Sequence, residues 1–497
     1  MHPQRRFVRF VLVLAAIVLA VFFLEFLGEW LRQGRPGFDA LFFSGPNLGK
    51  PADFLSPTAR AYNNILAMVL ATIALAIPLT ANMYTAKLID MFLRDRINQF
   101  MLFFWAILAA HVIFVLYLSG PDFTPAWMIR ASVLGAILGW IALVPYFYYI
   151  VRFLDPTRIL ARIKDEALEA LRQAEQRSIA VRKAQETLNQ NLRQICTIVL
   201  KTIGRGEREV TLEGIRCLQD ILQQYGERKA RMPEDWFNLA PEHFVGLSAE
   251  ALALLHEERN WVEHRVLSEI FLAYKAALAA TQDVISSLSQ TSREIALAAD
   301  RRGDDKALEL TVKFFNNYLR ETVKRRDLLA TYDLIYQYRL LADALWHRPA
   351  LLRKIGGYLL TYSNLAEASG LPFVPQIVAV DLGWIVRRAY ERHSEAAAAL
   401  LDLFLGLKHD GERHLTVKAK LILGGYFTQG DHAIEAGKLR TNLASVPTAR
   451  LRAAGDDLSN VEDRSYWEVT DRQMMFEWVP PQQRPAVQAF LESIQAA

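Results

Sequence analysis

Cysteine is almost missing from this chain of 497 residues, which holds only Cys196 and Cys217. Neither lies in a CxxC pair or at ligand spacing from a histidine, so a disulfide framework and a thiolate zinc site are excluded and a reducing compartment is expected. Alternating β-branched runs are nearly absent, which leaves an all-α reading. Charge is scarce in the first third: residues 1–154 carry 12 Lys/Arg and 7 Asp/Glu, against 45 and 46 in residues 155–497. A uniformly soluble protein is thereby excluded, and the balanced second part argues against a nucleic-acid-binding surface. Catalytic signatures are lacking too. No G-x-S-x-G elbow occurs. Gly204-Arg-Gly206 and Gly424-Gly425 lack the strand and the Gly-Lys-Ser/Thr of a phosphate loop and read as helix breaks. His256-Glu-Glu-Arg-Asn260 puts Asn260 where a zincin needs its second imidazole. His409, His414 and His432 read as surface residues, and no catalytic residue, metal or cofactor is assigned.

What is present is apolar length. Residues 7–27, 64–83, 100–119 and 131–154 each approach the roughly 20 apolar residues that a bilayer span requires. The first is too long for a secretory leader and reads as a retained anchor. Arg5, Arg6 and Arg9 precede span one, Lys87, Arg94 and Arg96 lie between spans two and three, and Arg152, Arg158, Arg162 and Lys164 follow span four. All fall on one side, which the positive-inside rule makes the cytoplasm, with both termini there. The expected setting is a multi-pass membrane protein.

The polar residues inside the spans form a candidate intramembrane site: His111, Asn82, Pro78 and Pro145. His111 is either functional or a neutral imidazole hydrogen-bonded to a neighbouring helix. Pro78 and Pro145 interrupt spans two and four and free backbone carbonyls for a kink or a cavity wall. Glu25 is placed at the outer interface, reaching headgroups or an extracellular arginine. Gly135 and Gly139 form a GxxxG suited to close helix packing or dimerisation. Asp90 and Arg94 are four apart on a short charged helix, and Arg94, Asp95 and Arg96 make a candidate inner-leaflet site for lipid phosphate or an ion-pair girdle.

The stretch 81–99, with Leu88, Phe92, Arg94, Asp95, Arg96 and Gln99 leading into span three, resembles a family of bacterial predicted membrane proteins known only as a domain of unknown function. That family carries an L-x-x-x-F-x-R-D-R-x-x-Q segment between spans two and three. The aromatic exit of span four and the Ile/Leu-rich segment after it, 146–166, are similar as well. The resemblance implies a four-span inner-membrane protein and no established activity.

The second part reads as a large cytoplasmic α-helical domain, an irregular bundle or an α-solenoid. Asp155-Pro156 starts a helix, and apolar or small residues then recur at helical spacing from Leu160 to Ile195, predicting one long stalk-like helix. Gly-acid turns recur at Gly206-Glu207, Gly303-Asp304 and Gly430-Asp431 at intervals too irregular for a countable repeat. The expected divisions are a four-span domain (1–154), an amphipathic linker or stalk helix (155–203), a cytoplasmic all-α domain (204–449) and a less regular tail (450–497) that packs back through Trp467 and Trp478. Three functions stay open, in this order: a membrane-anchored interaction or scaffold protein, an oligomeric channel or transporter gated by the cytoplasmic helices, and a membrane enzyme acting on lipid at Arg94, Asp95 and Arg96. The expected partners are the lipid bilayer, further copies of the chain and a cytoplasmic protein, with no nucleic acid.

Overall fold

The computed structural model describes residues 16, 20–32, 50–120, 123–239, 247–280, 284–411, 413–430, 432–466 and 472–496. The chain divides into two compact units, residues 1–159 and 160–497. Both are helical; among the described residues the sole β feature is an isolated bridge between Gly120 and Phe123.

The first unit contains α1 (residues 20–32), α2 (Lys50–Met83), α3 (Lys87–Arg94), α4 (Arg96–Leu118) and α5 (Ala126–Phe153). Among the described residues, three helical stretches are long and apolar enough to cross a bilayer: Leu55–Met83, Arg96–Leu118 and Ala126–Phe153. The expected first span, 7–27, lies mostly outside the described residues, although 20–27 are helical. Only 22–33% of each apolar window is buried inside the unit, so most of the apolar surface, including Leu75, Leu134, Ile141 and Val144, faces outward. A water-soluble domain hides such residues, whereas a bilayer solvates them. Inside, Ile65, Val69, Trp105, Tyr146 and Ile150 form one cluster, and Phe26, Leu55, Val115, Leu118 and Met128 form another. The helices run unbroken through Pro78 and Pro145, correcting the expectation that these prolines interrupt their spans. Neighbouring backbone bonds hold the helix on either side of a proline, so one missing N–H need not end it. The aromatic run at the end of α5 divides: Tyr146 turns inward against Trp105, while Phe147 and Tyr148 face out.

The second unit is a stack of helical hairpins. After α6 (Pro156–Glu175) come the pairs α7 (Val181–Arg205) with α8 (Arg208–Arg228), and, beyond short α9 (Ala249–Glu257), α10 (Trp261–Ala280) with α11 (Ile285–Arg302). Then follow α12 (Asp305–Arg325) with α13 (Leu328–Ala344), α14 (Pro349–Ala368) with α15 (Phe373–Glu391), and α16 (Ala397–Leu405) with α17 (His414–Gln429). The first helices of the pairs pack on one another in one row and the second helices in a parallel row. This is an α-solenoid, each hairpin burying the face its neighbour leaves open. Hairpins start at Trp261, Asp305 and Pro349, 44 residues apart, and the next starts 48 further on at Ala397. α18 (Ala433–Leu443), α19 (Thr448–Asn460) and α20 (Arg484–Gln495) close the far end.

The predicted stalk is two helices, because Arg177 adopts a left-handed φ of 51° between α6 and α7. The same ending recurs at Gly206, Arg259, Gly303, Arg326, Gly370 and His393: the N–H of the left-handed residue and that of the next bond back to carbonyls of the last turn. This Schellman geometry satisfies orphan carbonyls while reversing the chain. Gly206 turns α7 into α8 within a hairpin, whereas Gly303 joins α11 to α12 between hairpins. Gly-acid turns thus occupy different places in the repeat, and counting them missed its period. Gly424 and Gly425 lie inside α17, not at a break: a Cβ at Gly424 would fall 2.1 Å from the Phe490 ring and one at Gly425 2.5 Å from Val487. Their missing side chains let α20 dock. Gly204 is likewise inside α7.

Candidate functional site

Apolar spans leave polar side chains few places to go, and the first unit gathers several at the far end of α4. His111 lies seven residues before Leu118, about 10 Å along the helix at 1.5 Å per residue. Its side chain is buried, with Nε2 2.8 Å from Glu25 Oε2 on α1 and Nδ1 3.1 Å from Ser132 Oγ on α5. The Phe22 ring sits 4.9 Å from the imidazole. With Glu25 ionised, Nε2–H donates to the carboxylate and the Ser132 hydroxyl donates to Nδ1, so both ring nitrogens are satisfied. The Tyr62 hydroxyl donates to the Ser132 carbonyl at 3.2 Å, tying α2 to the same point. One turn further along α1, Glu29 is buried and accepts from the Trp127 N–H. This carboxylate caps the N-terminus of α5, where it meets the positive end of the helix dipole.

Glu25 thus meets His111 rather than an arginine, with its side chain still 36% exposed. The readable signal was the Glu25–Glu29 spacing of four, which puts both on one helix face beside Phe22 and Phe26. The other members of the expected polar site are elsewhere: Pro78, Asn82 and Pro145 are exposed on the unit's surface. The structure does not bring them to His111.

Gly135 and Gly139 serve packing within the chain. A Cβ at Gly135 would lie 2.7 Å from Leu108 and 3.0 Å from the Tyr62 hydroxyl; at Gly139 it would touch Tyr62 and Trp105 at 3.6 Å. The Trp105 indole N–H also points at the Gly139 carbonyl, 3.4 Å away.

The charged turn between α2 and α4 is built from backbone needs. Leu88 and Phe92 are buried, Phe92 standing edge-on to Phe153 at 5.8 Å. Asp95 caps α4, accepting from the Ile97 and Asn98 backbone amides at 3.0 Å each, and the Gln99 side-chain Nε2–H donates to the Leu93 carbonyl at 2.7 Å. The carboxylate so engaged makes a helix cap rather than a girdle. Arg94 pairs loosely with Asp90 at 3.6 Å, and Arg94 and Arg96 are exposed.

Residues 4–204 match the family model described as predicted membrane protein, DUF2254. The match takes in the apolar helices, the polar cluster and the charged turn, and ends within α7. It agrees with the outward apolar surface of the first unit in making this a membrane protein. No curated protein and no solved structure matches the chain.

The second unit holds two further polar clusters. Lys420 is fully buried without a carboxylate: its ammonium donates to the Leu407 carbonyl and Asn442 Oδ1 at 2.7 Å each, and to His409 Nδ1 at 3.0 Å. Burial lowers its pKa to about 8. His409 Nε2 lies 3.1 Å from Ser445 Oγ. Because the lysine donates to Nδ1, Nε2 carries the proton and His409 is a donor to Ser445, not its base. The geometry ties the end of α16 to α17 and α18, and His409 is half-buried rather than a surface histidine.

The second cluster surrounds Lys229, which bonds Glu263 at 2.7 Å and Asp304 at 2.6 Å, pinning α8 to α10 and to the cap of α12. His256 Nδ1 meets the Phe237 carbonyl at 2.9 Å, and Asn260 bonds Glu258. Cys196 and Cys217 are buried and free, their thiols pushed up by desolvation, Cys217 to about 12. Among the described residues no three His, Cys, Asp or Glu converge as metal ligands.

Proposed function

We propose that this protein is a membrane-anchored interaction protein of a bacterial inner membrane: apolar helices hold it in the bilayer, and the helical second unit binds protein partners in the cytoplasm. The observation that carries the reading is the two-row stack of helical hairpins. Such stacks expose long continuous faces, and recognition is what those faces do best. The cluster of Lys/Arg after α5 and between α2 and α4 supports cytoplasmic termini. Exposed Arg94 and Arg96 are suited to phosphate headgroups of the inner leaflet. Self-assembly through the membrane helices belongs to the same reading.

The reading is tested by placing a photo-crosslinking residue at exposed positions of the second unit, Lys313, Arg320 and Leu329, and at outward positions of the spans, Leu75 and Val144. A discrete adduct to a different protein from the second unit is expected in native membranes, with the span positions giving adducts to a second copy of the chain at most. A second reading, an oligomeric channel or transporter, rests on the Glu25–His111–Ser132 cluster. Ion flux through purified protein in liposomes that disappears in a folded His111→Leu variant, with no adduct from the second unit, would replace the first reading by the second.

A further inference from the structure

The face made by α13, α15 and α17 is not bare. A non-helical segment of the chain itself, residues 472–483, lies against all three helices. At one end the Arg472 guanidinium donates to Asp381 Oδ1 of α15 at 2.6 Å and to the Tyr332 carbonyl of α13 at 3.2 Å. It lies 4.3 Å from the Tyr332 ring centre, 5.0 Å from that of Tyr336 and 5.3 Å from that of Phe476. The arginine side chain is 4% exposed and Asp381 fully buried. Further on, Glu477 meets Lys418 of α17 at 2.6 Å, and Gln483 accepts from Arg387 of α15 at 3.2 Å. Between segment and helices remains a cavity of about 330 Å³, lined among others by Trp384, Arg387, Met475, Phe476 and Trp478.

We propose that this face is a binding groove for an extended peptide of a protein partner that carries an arginine followed by aromatic residues, and that residues 472–483 occupy it as a built-in competitor. The inference rests on reading the second unit as an interaction domain and names the chemistry of what it recognises. Three features separate a recognition site from an ordinary packed strand. The segment touches three successive helices of one row, the surface on which a stacked repeat presents successive side chains to one extended ligand. Its anchor is a buried ion pair in an aromatic box. Apolar side chains would fix the segment as well, since a buried pair adds little net stability, whereas the carboxylate and rings select a guanidinium by charge, planarity and stacking.

The third feature is that Asp381 has a second cation. Arg339 approaches the same Oδ1 at 3.6 Å and stacks on Tyr336 and Trp384. When Arg472 leaves, Asp381 keeps a charged neighbour, so the groove can exchange its occupant without stranding a buried carboxylate. The segment's other end is held by α20, which docks on Gly424, Gly425 and Gly455 and need not move. Held at that end, the segment competes at an effective concentration that reaches the millimolar range for short tethers.

The probe is a labelled peptide of residues 472–480, Arg-Gln-Met-Met-Phe-Glu-Trp-Val-Pro, titrated by fluorescence anisotropy into the detergent-purified full chain. The double variant Arg472→Ala/Phe476→Ala, with circular dichroism and a melting temperature close to wild type, is expected to bind it at least tenfold more tightly than wild type does. Adding Asp381→Asn, or replacing the arginine of the peptide by alanine, is expected to cost at least tenfold. No binding to the folded double variant, or binding indifferent to both the peptide arginine and Asp381, overturns the proposal. Should the double variant not fold, millimolar peptide on the wild-type chain decides by hydrogen exchange. Faster exchange of the amides of 472–483 with α15 unchanged supports the groove, and no change refutes it. A partner crosslinked elsewhere on the second unit would leave the interaction reading standing while this groove falls.

Discussion

The same chemical change, glycine to alanine within a helix, is expected to act with opposite sign at Gly424 and Gly437. Gly437 lies in α18 with nothing within 4 Å of the place an added methyl would take, so the alanine there gains only backbone rigidity. That gain is about 0.5–1 kcal/mol. At Gly424 the methyl would stand 2.1–2.4 Å from three atoms of the Phe490 ring, more than 1 Å inside ordinary contact. The ring cannot yield freely, because Phe490 is 1% exposed and is the centre of the face of α20 that also buries Val487, Leu491 and Ile494. Overpacking of this kind costs roughly 1–3 kcal/mol, and the upper part of that range is expected because an aromatic ring, not a flexible chain end, must move. Subtracting the helix gain leaves a net loss of about 1–2 kcal/mol. Equilibrium urea unfolding of the detergent-purified chain is the assay, read by circular dichroism, with proteolysis after α19 reporting release of α20. Gly437→Ala should raise the midpoint and Gly424→Ala lower it with faster cleavage before Arg484. Equal shifts of the same sign would refute the account of α20 docking through absent side chains.

Removing His111 as His111→Leu strips Glu25 of its partner and is expected to destabilise the first unit by roughly 1–2 kcal/mol, whereas Glu25→Gln, which keeps an acceptor for Nε2–H, should cost under about 1 kcal/mol; thermal unfolding in detergent ranks the two, and equal losses would show that the contact is idle. Arg326 holds a left-handed φ of 56° at the end of α12, so Arg326→Gly should stabilise by up to about 1–2 kcal/mol while Gly303→Ala, at φ 70°, loses a comparable amount. A lowered urea midpoint for Arg326→Gly would contradict this.

Asp343 gives a pH prediction. Burial, opposed by Arg339 and Arg388, raises its pKa from 3.8 to about 6. A carboxyl whose folded pKa is raised binds more protons in the folded state, so its penalty is absent below about pH 4, grows as pH rises to 6 and is complete above. The penalty is on the order of 2–3 kcal/mol. Asp343→Asn should therefore stabilise the chain more at pH 7 than at pH 4, and a pH-independent difference between the two proteins would refute the shift.

Much of the fold was written in local pattern. The spans of α4 and α5 follow from continuous apolar runs, the helical second part from apolar spacing without β-branched alternation, and the start of α6 from Asp155-Pro156, where Asp155 Oδ1 accepts from the Thr157 amide at 2.9 Å. The 44-residue hairpin period was present in the chain but hidden. Four of the seven left-handed helix ends carry Arg or His instead of glycine, and these residues announce no turn. The site was half legible: His111 stood out as an ionisable residue in an apolar run, but its partner Glu25 precedes it by 86 residues and no spacing rule reaches that far.

By itself the sequence determined that the chain is helical and that its first third belongs in lipid, because composition and periodicity act locally and set how each segment is solvated. Only the tertiary structure decided which polar groups meet. Glu25 and His111, Asp381 and Arg472, Gly424 and Phe490 are each brought together by packing between distant helices. A buried charge needs its partner and a close-packed ring needs its vacancy, and both are supplied from other parts of the chain.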